Sequence, residues 1–342
     1  QDAEVIVFDE PTAALTESEI EELFKIIRDL RSRDIGIIYI SHRMDEINVI
    51  TDRVTVMRDG EYVGTIITKD STKEEIISMM VGRTIYEDPK EKSNVPKDAP
   101  VVLKVENLNV GKSVRNVSFE LKKGEIIGFS GLMGSGRTET ARAIFGADKI
   151  DSGTIYVNGK KVEIKCPMDA VNSGIGYLSE DRKRYGIVLD KTVTENSTMS
   201  SLDKFVNGIF INKKKEKDVA KDYAEKLKTK TASVETPVVT LSGGNQQKVV
   251  IAKWLIKDCD ILIFDEPTRG IDVGAKSEIY TLMNELVAQG KSIIMISSEL
   301  TEILRMSDRI IVMNEGRKTG ELPIEEATQE SIMNAATLRN QF

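Results

Sequence analysis

The sequence predicts an α/β fold built on buried parallel strands, and three features predict it. Short apolar runs such as Ile261-Leu262-Ile263-Phe264 end on an acid pair, Asp265-Glu266. Continuous Ile, Leu and Val is the pattern of a strand covered on both faces. A glycine-rich stretch, Gly131 to Gly136, stands between such a run and a helical pattern. Finally, much of the chain repeats at an offset of 256 residues, which links Asp9 to Asp265, Ser41 to Ser297, Asp52 to Asp308 and Gly60 to Gly316. A period that long is a duplicated domain rather than a solenoid repeat.

The chain has 342 residues, enough for one to three domains, and is 40% hydrophobic and 30% charged, as expected of a globular protein with ample core. A net charge of -7 argues against a nucleic-acid partner held by a general basic field. Cys166 and Cys259 stand far apart without metal-ligand spacing, which points to a reducing compartment and no disulfide. No apolar run approaches the ~20 residues that a membrane-spanning helix needs.

In the first copy, Val5 to Phe8 reads as a buried strand ending on Asp9 and Glu10. Thr16 and Glu19 have capping-box spacing, and Ile20, Leu23, Phe24, Ile27 and Leu30 then recur at helical spacing. Gly36 to Ser41 is a second strand, followed by His42, the only histidine of the chain. Val54–Met57 and Tyr62–Ile67 form a hairpin about Asp59-Gly60, and a helix carrying Ile76, Ile77, Met79 and Met80 ends near Gly82. Residues 84–100 are polar, with Pro89, Pro96 and Pro100, and read as a linker between a first domain (1–83) and a second (101–342). The first copy begins at its strand-end acids, without a glycine loop of its own, so the chain is expected to be the carboxyl-terminal part of a longer tandem protein.

The second copy opens with two strands, Val101–Val110 and Val114–Leu121. Glu125–Ser130 is a buried strand running into Gly131-Leu132-Met133-Gly134-Ser135-Gly136-Arg137-Thr138 and a helix. Glycines let successive backbone N–H groups curl around phosphate oxygens, and the helix N-terminus adds its dipole. A cation at the seventh position and a hydroxyl for Mg²⁺ at the eighth complete a phosphate loop; here they are Arg137, in place of the usual Lys, and Thr138. Gly174–Leu178 is a strand leading to Ser179-Glu180-Asp181-Arg182, where Glu180 reads either as a Mg²⁺ contact or as an acid on a surface loop. Residues 193–240 read as helical and charged, the run Asn212–Asp218 being a solvated face. Leu241-Ser242-Gly243-Gly244-Asn245-Gln246-Gln247 opens a helix in which Trp254 is core. Ile279, Leu282, Met283 and Leu286 repeat the packing stripe of the first copy, and Gly290 stops that helix.

At this spacing the LSGGNQQK and ILIFDE stretches resemble the signature and Walker B strand of ABC-type ATPases. With the GLMGSGRTE loop, SEDRK, DEPTRGIDVGAK and the tandem layout, essentially the whole chain resembles the ATP-binding subunits of bacterial sugar importers. The resemblance implies a P-loop NTPase fold, an ABC nucleotide-binding domain with a helical subdomain, duplicated with the first copy incomplete. It implies ATP and Mg²⁺ as ligands, with Gly131, Gly134, Ser135, Gly136, Arg137 and Thr138 on the phosphates. Ser242, Gly243, Gly244, Asn245 and Gln246 would face the nucleotide of a partner nucleotide-binding domain in a head-to-tail dimer.

In the same family pattern Asp9 and Asp265 hold Mg²⁺ with Thr138 and Glu180, Glu10 and Glu266 polarise the attacking water, and His42 is the switch histidine. Ser298 stands where the second copy would have that histidine, and residues 110–115 lack an aromatic for the adenine. The first copy's acids and His42 are therefore expected to serve the hydrolytic site, and the second copy's loop to bind ATP with little turnover. Implied partners are membrane permease subunits and, indirectly, an extracellular sugar-binding protein, which places the chain peripherally on the cytoplasmic face of the bacterial membrane. The rival reading is a soluble tandem ABC ATPase with a non-transport, ribosome-associated role; the short linker and negative charge argue against it.

Overall fold

The computed structural model describes residues 3–12, 17–41, 44–58, 61–72, 75–76, 79, 89–207 and 210–338. The chain divides into two compact units, Gln1–Tyr86 with Asp272–Ser277, and Glu87–Ile271 with Glu278–Phe342.

In the first unit, β1 (Val5–Asp9) and β2 (Gly36–Ile40) pair in parallel, Val5 opposite Gly36 and Asp9 opposite Ile40. Helix α1 (Glu17–Ser32) joins them and buries Ile20, Phe24 and Ile27, one face of the helical repeat, against Phe8, Ile37 and Tyr39. After α2 (Met44–Ile50), β3 (Arg53–Arg58) and β4 (Glu61–Ile67) form the antiparallel hairpin, and Ile47, Val54, Val56 and Ile76 make a small core beneath it.

One expectation fails here. β1 is not buried on both faces: Val5 and Val7 are each 58% exposed, and Asp9 is exposed as well. Among the described residues the sheet has two strands with α1 against one side, so the period of two turns alternate side chains to the other. Thr16, His42, the Asp59-Gly60 turn, Ile77, Met80 and Gly82 lie outside the described residues.

Among the described residues the second unit holds two large sheets and one short two-stranded ladder. β5 (Val101–Val110), β6 (Val114–Lys122), β8 (Ser152–Val157) and β9 (Lys160–Val162) form an antiparallel sheet in the order β6-β5-β8-β9. The main sheet has six strands, β7 (Ile126–Gly131), β10 (Ile175–Leu178), β13 (Ile261–Asp265), β14 (Ser292–Ile296), β15 (Arg309–Asn314) and β16 (Arg317–Pro323). Their order is β10-β13-β14-β7-β15-β16, parallel except for β16. The register Ile261–Ser292 to Asp265–Ile296 reproduces that of β1 with β2. β7, β10, β13 and β14 are buried along nearly their full length, as their continuous apolar sequences require. β7 lies between β14 and β15, so its loop opens at the carboxyl edge of the sheet, where α/β folds bind ligands.

Helices α3 (Arg137–Ile144) and α4 (Pro167–Asn172) connect the sheets. The 193–240 segment is only partly helical: α5 (Val193–Thr198) runs into a 3₁₀ stretch, Met199–Lys204, and α6 (Lys213–Lys226) follows the short strands β11 (Val206–Asn207) and β12 (Phe210–Ile211). Residues 229–237 lack helix, and Asn196 holds the loop before α5 by accepting from the Val188 N–H and donating to the Val188 and Lys191 carbonyls. The charged face of α6 is solvated except for Glu216, which is buried on Thr198 Oγ1 (2.6 Å) and Lys213 (2.9 Å).

Helix α7 (Gly243–Lys257) carries Trp254 into the core, where its Nε1–H donates to the Tyr177 carbonyl at 2.9 Å. Helix α8 (Val273–Ala288) buries Ile279, Leu282, Met283 and Leu286, and α9 (Leu300–Met306) and α10 (Gln329–Thr337) complete the unit. The linker stretch is fastened to this unit: Lys90 and Ser93 donate to Asp308 Oδ1 (2.6 and 2.8 Å), while the Ile126 N–H donates to Oδ2 (2.9 Å).

Candidate nucleotide-binding site

β7 delivers the chain into the loop Gly131–Gly136, and three of its glycines have φ in the left-handed range, 149° at Gly131, 75° at Gly134 and 97° at Gly136. A Cβ at Gly131 would stand 2.2 Å from the Met313 carbonyl oxygen, and one at Gly136 2.4 Å from that of Ser113. Both positions are closed to any side chain, whereas Gly134 faces open space. The loop is pinned by the Gly316 N–H on the Ser135 carbonyl (2.9 Å) and passes into α3 with Gly136 as its cap. The first N–H groups of α3 therefore point at the loop's concavity, the arrangement that binds phosphate. Ser135 Oγ is buried without a hydrogen-bond partner, a polar atom of the kind a phosphate oxygen satisfies.

Four predicted residues, Thr138, Asp265, Glu266 and Arg137, meet at the end of β13. Thr138 Oγ1 donates to Asp265 Oδ1 at 3.1 Å, and the Tyr177 hydroxyl donates to Oδ2 at 2.7 Å. Asp265 is fully buried, and burial lifts its carboxyl above the ordinary range against the two hydroxyls and the Arg137 charge. Glu266 is lifted the same way, by burial first, and accepts from Ser298 Oγ at 3.1 Å. Arg137 reaches over these acids and donates to the Ser297 carbonyl at 2.6 Å. Burial lowers its guanidinium, partly opposed by the charges of Glu266 and Asp265. Among the described residues no cluster of three His, Cys, Asp or Glu side chains could hold a metal alone. The Thr138–Asp265 oxygen pair suits Mg²⁺, which takes one or two protein oxygens and completes its shell with water and phosphate.

Other predicted residues fall elsewhere. Glu180 ion-pairs with Arg269, so in this structure the acid of the SEDR stretch is held by a cation. Ser242 is exposed at the start of α7, and Asn245 donates to its Oγ (2.8 Å) while accepting from the Lys230 N–H (2.8 Å). Gly243 lies against Gly270, Ile271 and the Arg182 guanidinium, and Gly244 is buried. Gln246 is turned inward and donates to the carbonyls of Val238 and Leu241.

In the first unit, Glu10 repeats the backbone of Glu266, with φ of 46° against 48° and its N–H on Ile40 O at 2.9 Å, as that of Glu266 is on Ile296 O. Asp9 is exposed, whereas Asp265 is buried under Thr138 and Tyr177. Sequence reasoning missed Tyr177 and Arg182. A phenol inside an apolar strand signals a buried acceptor nearby, but not which one.

The comparisons agree with this geometry. The ABC transporter family model matches residues 114–269. A putative ribose/galactose/methyl galactoside import ATP-binding protein of Burkholderia cenocepacia is 56% identical over 99% of the chain, which spans 66% of that relative's length. The ribose import ATP-binding protein RbsA of Clostridium perfringens is 53% identical over 98% of the chain and 67% of its own length. Among solved structures, an ATP-binding cassette of an ABC transporter in its ADP conformation matches with a TM-score of 0.58 at 24% identity, over 69% of this chain and 95% of that one. CbiO1 of Clostridium perfringens, part of a CbiONQ transporter complex, matches with a TM-score of 0.57 at 22% identity over 68% and 93%. At these identities the structures speak for the fold alone. A phosphate loop on β7, an acid pair closing β13 and relatives identical at more than half their aligned positions agree: the chain belongs to the family of ABC transporter ATP-binding proteins, in the group named for sugar import.

Proposed function

We propose that the protein binds and hydrolyses ATP to energise import of a monosaccharide, as the peripheral cytoplasmic subunit of a membrane permease. The observation that carries this reading is the phosphate loop seated against the buried Thr138–Asp265 pair, with the unpartnered Ser135 hydroxyl beside it. The names of the relatives supply sugar import; a permease and a sugar-binding protein outside the membrane follow from that role.

The chain's own residues divide the work. The loop N–H groups and the α3 terminus bind the β- and γ-phosphates. Thr138 and Asp265 would hold Mg²⁺, which neutralises charge on the phosphate oxygens. The strand-end glutamates orient and deprotonate water, a task for which the lifted carboxyl of Glu266 is suited. The signature turn, Ser242 to Asn245, offers helix N–H groups to the nucleotide of a second nucleotide-binding domain.

Arg137 is the departure with consequences. Its fork is committed to the Ser297 carbonyl, and the switch position carries the short hydroxyl of Ser298 rather than an imidazole. The second copy's loop therefore binds ATP and turns it over slowly, while Asp9, Glu10 and His42 serve the hydrolytic site. The test is ATPase activity of the full-length protein bound to its permease. Glu10→Gln is expected to abolish turnover and Glu266→Gln to leave most of it; equal losses would refute the asymmetry. Uptake of labelled ribose, galactose and xylose in a deletion strain identifies the sugar.

A further inference from the structure

The turn after the acid pair and the turn that carries the switch residue are joined by one buried carboxylate. Glu302 is 3% exposed and accepts three hydroxyl hydrogen bonds: Thr268 Oγ1 and the Tyr280 hydroxyl on Oε1, and Ser297 Oγ on Oε2 at 2.6 Å. Thr268 stands two residues beyond Glu266, and Ser297 directly precedes Ser298, which bonds Glu266. The Ser297 carbonyl takes Arg137, and its Oγ accepts the Glu299 N–H at 3.0 Å. A carboxylate offers acceptors only to these three hydroxyls, whereas an amide in its place turns a donor toward them.

The first copy builds part of the same node. The offset of 256 carries Thr12, Ser41 and Glu46 onto Thr268, Ser297 and Glu302. Glu46 is buried and accepts from Ser41 Oγ (3.2 Å) and the Tyr39 hydroxyl (2.8 Å), both on Oε2; Thr12 is buried too, but its Oγ1 has no hydrogen-bond partner, so here the carboxylate holds the switch side of the node only. The phenol, however, comes from a different element. In the first copy it is Tyr39 on β2, with Phe24 on the helix; in the second it is Tyr280 on α8, with Met295 on the strand. Two scaffolds thus deliver a phenol to one carboxylate, which marks the hydrogen-bonded node, rather than local packing, as the feature both copies keep.

We propose that Glu302 and Glu46 are positioning residues that fix the switch turn, Ser297-Ser298 or Ser41-His42, relative to the strand-end glutamate, and so set where the γ-phosphate and the attacking water are met. The activity part of this proposal rests on the reading of the first copy's acids as the hydrolytic set; the structural part does not.

Two measurements test it. In hydrogen–deuterium exchange of the full chain, Glu302→Gln is expected to accelerate peptides covering 266–270 and 296–300 by about fivefold or more, with β7 and α7 unchanged. No change, or a uniform rise across all four regions, overturns the node. Where Glu302→Gln yields no folded protein, Tyr280→Phe, which removes one donor and keeps the anion, is read the same way. In the full-length protein on its permease, Glu46→Gln is expected to lower kcat by about tenfold or more, with KM for ATP moving less than about twofold. Glu302→Gln is measured alongside as the second copy's counterpart. An unaltered kcat in Glu46→Gln overturns the positioning role. Equal kcat losses from both variants refute the asymmetry of the two sites and leave the positioning role standing.

Discussion

Replacing Lys253 by methionine isolates the cost of a buried charge in the signature helix. The Lys253 ammonium is 5% exposed, donates to the Gly186 carbonyl at 2.7 Å and lies 4.6 Å from the centre of the Trp254 ring. Burial brings its pKa down from 10.5 to about 8. That depression corresponds to about 3 kcal/mol against the folded state when the amine is charged in both states. The unfolded chain binds the proton more tightly, so stability rises with pH between the folded and the unfolded values. About 2 kcal/mol of the cost is recovered on going from pH 7 to pH 9.5.

Methionine keeps the stem and removes the charge, but it strips the Gly186 carbonyl of its donor, which costs about 1–3 kcal/mol. At pH 7 the variant therefore melts close to the wild type, and the diagnostic quantity is the slope. Melting temperatures of both proteins from pH 7 to 9.5 are expected to diverge in favour of the wild type by about 3–4 °C. Cys259, raised to about 11 by burial, opposes this trend above its ordinary value of 9.0, but equally in both proteins, so the difference isolates Lys253. Parallel curves would refute the buried-ammonium account.

Asp265 gives the opposite sign. Its folded carboxyl holds a proton more tightly than the unfolded one, so stability falls as pH rises from 3.8 through the folded value, and the ionised group is a burden at neutral pH. Asp265→Asn is expected to raise the melting temperature of the nucleotide-free chain at pH 7, by less at pH 5, and to abolish stabilisation by Mg-ATP; a scanning-fluorimetry series reads both. Gly136→Ala places a Cβ 2.4 Å from Ser113 O at a φ of 97°. It is expected to weaken binding of a fluorescent ATP analogue by about a hundredfold, whereas Gly159→Ala, at positive φ but in open space, costs about 1 kcal/mol of stability and no affinity.

The parts of this fold legible in sequence are those that a local pattern dictates. The buried strands β7, β13 and β14, the phosphate loop and the stripes of α1 and α8 follow from continuous apolar runs, glycine spacing and helical periodicity. β1 misleads because an apolar run reports what a strand is able to bury, not which of its faces another element covers. Tyr177, Arg182 and Glu302 were silent because their partners lie far along the chain, at Asp265, at Arg269 and Gln246, and at Thr268. Only Glu302 left a trace, its exact repetition at Glu46.

The fastening of Lys90 and Ser93 onto Asp308 has a consequence for the strand that carries the phosphate loop. One buried carboxylate takes three donors, two from the segment at 90–93 and one from the N–H of Ile126, the first residue of β7. Removing that carboxylate orphans all three donors at once. The segment ahead of β5 and the base of β7 therefore loosen together, although neither touches the other's side chains at the nucleotide loop.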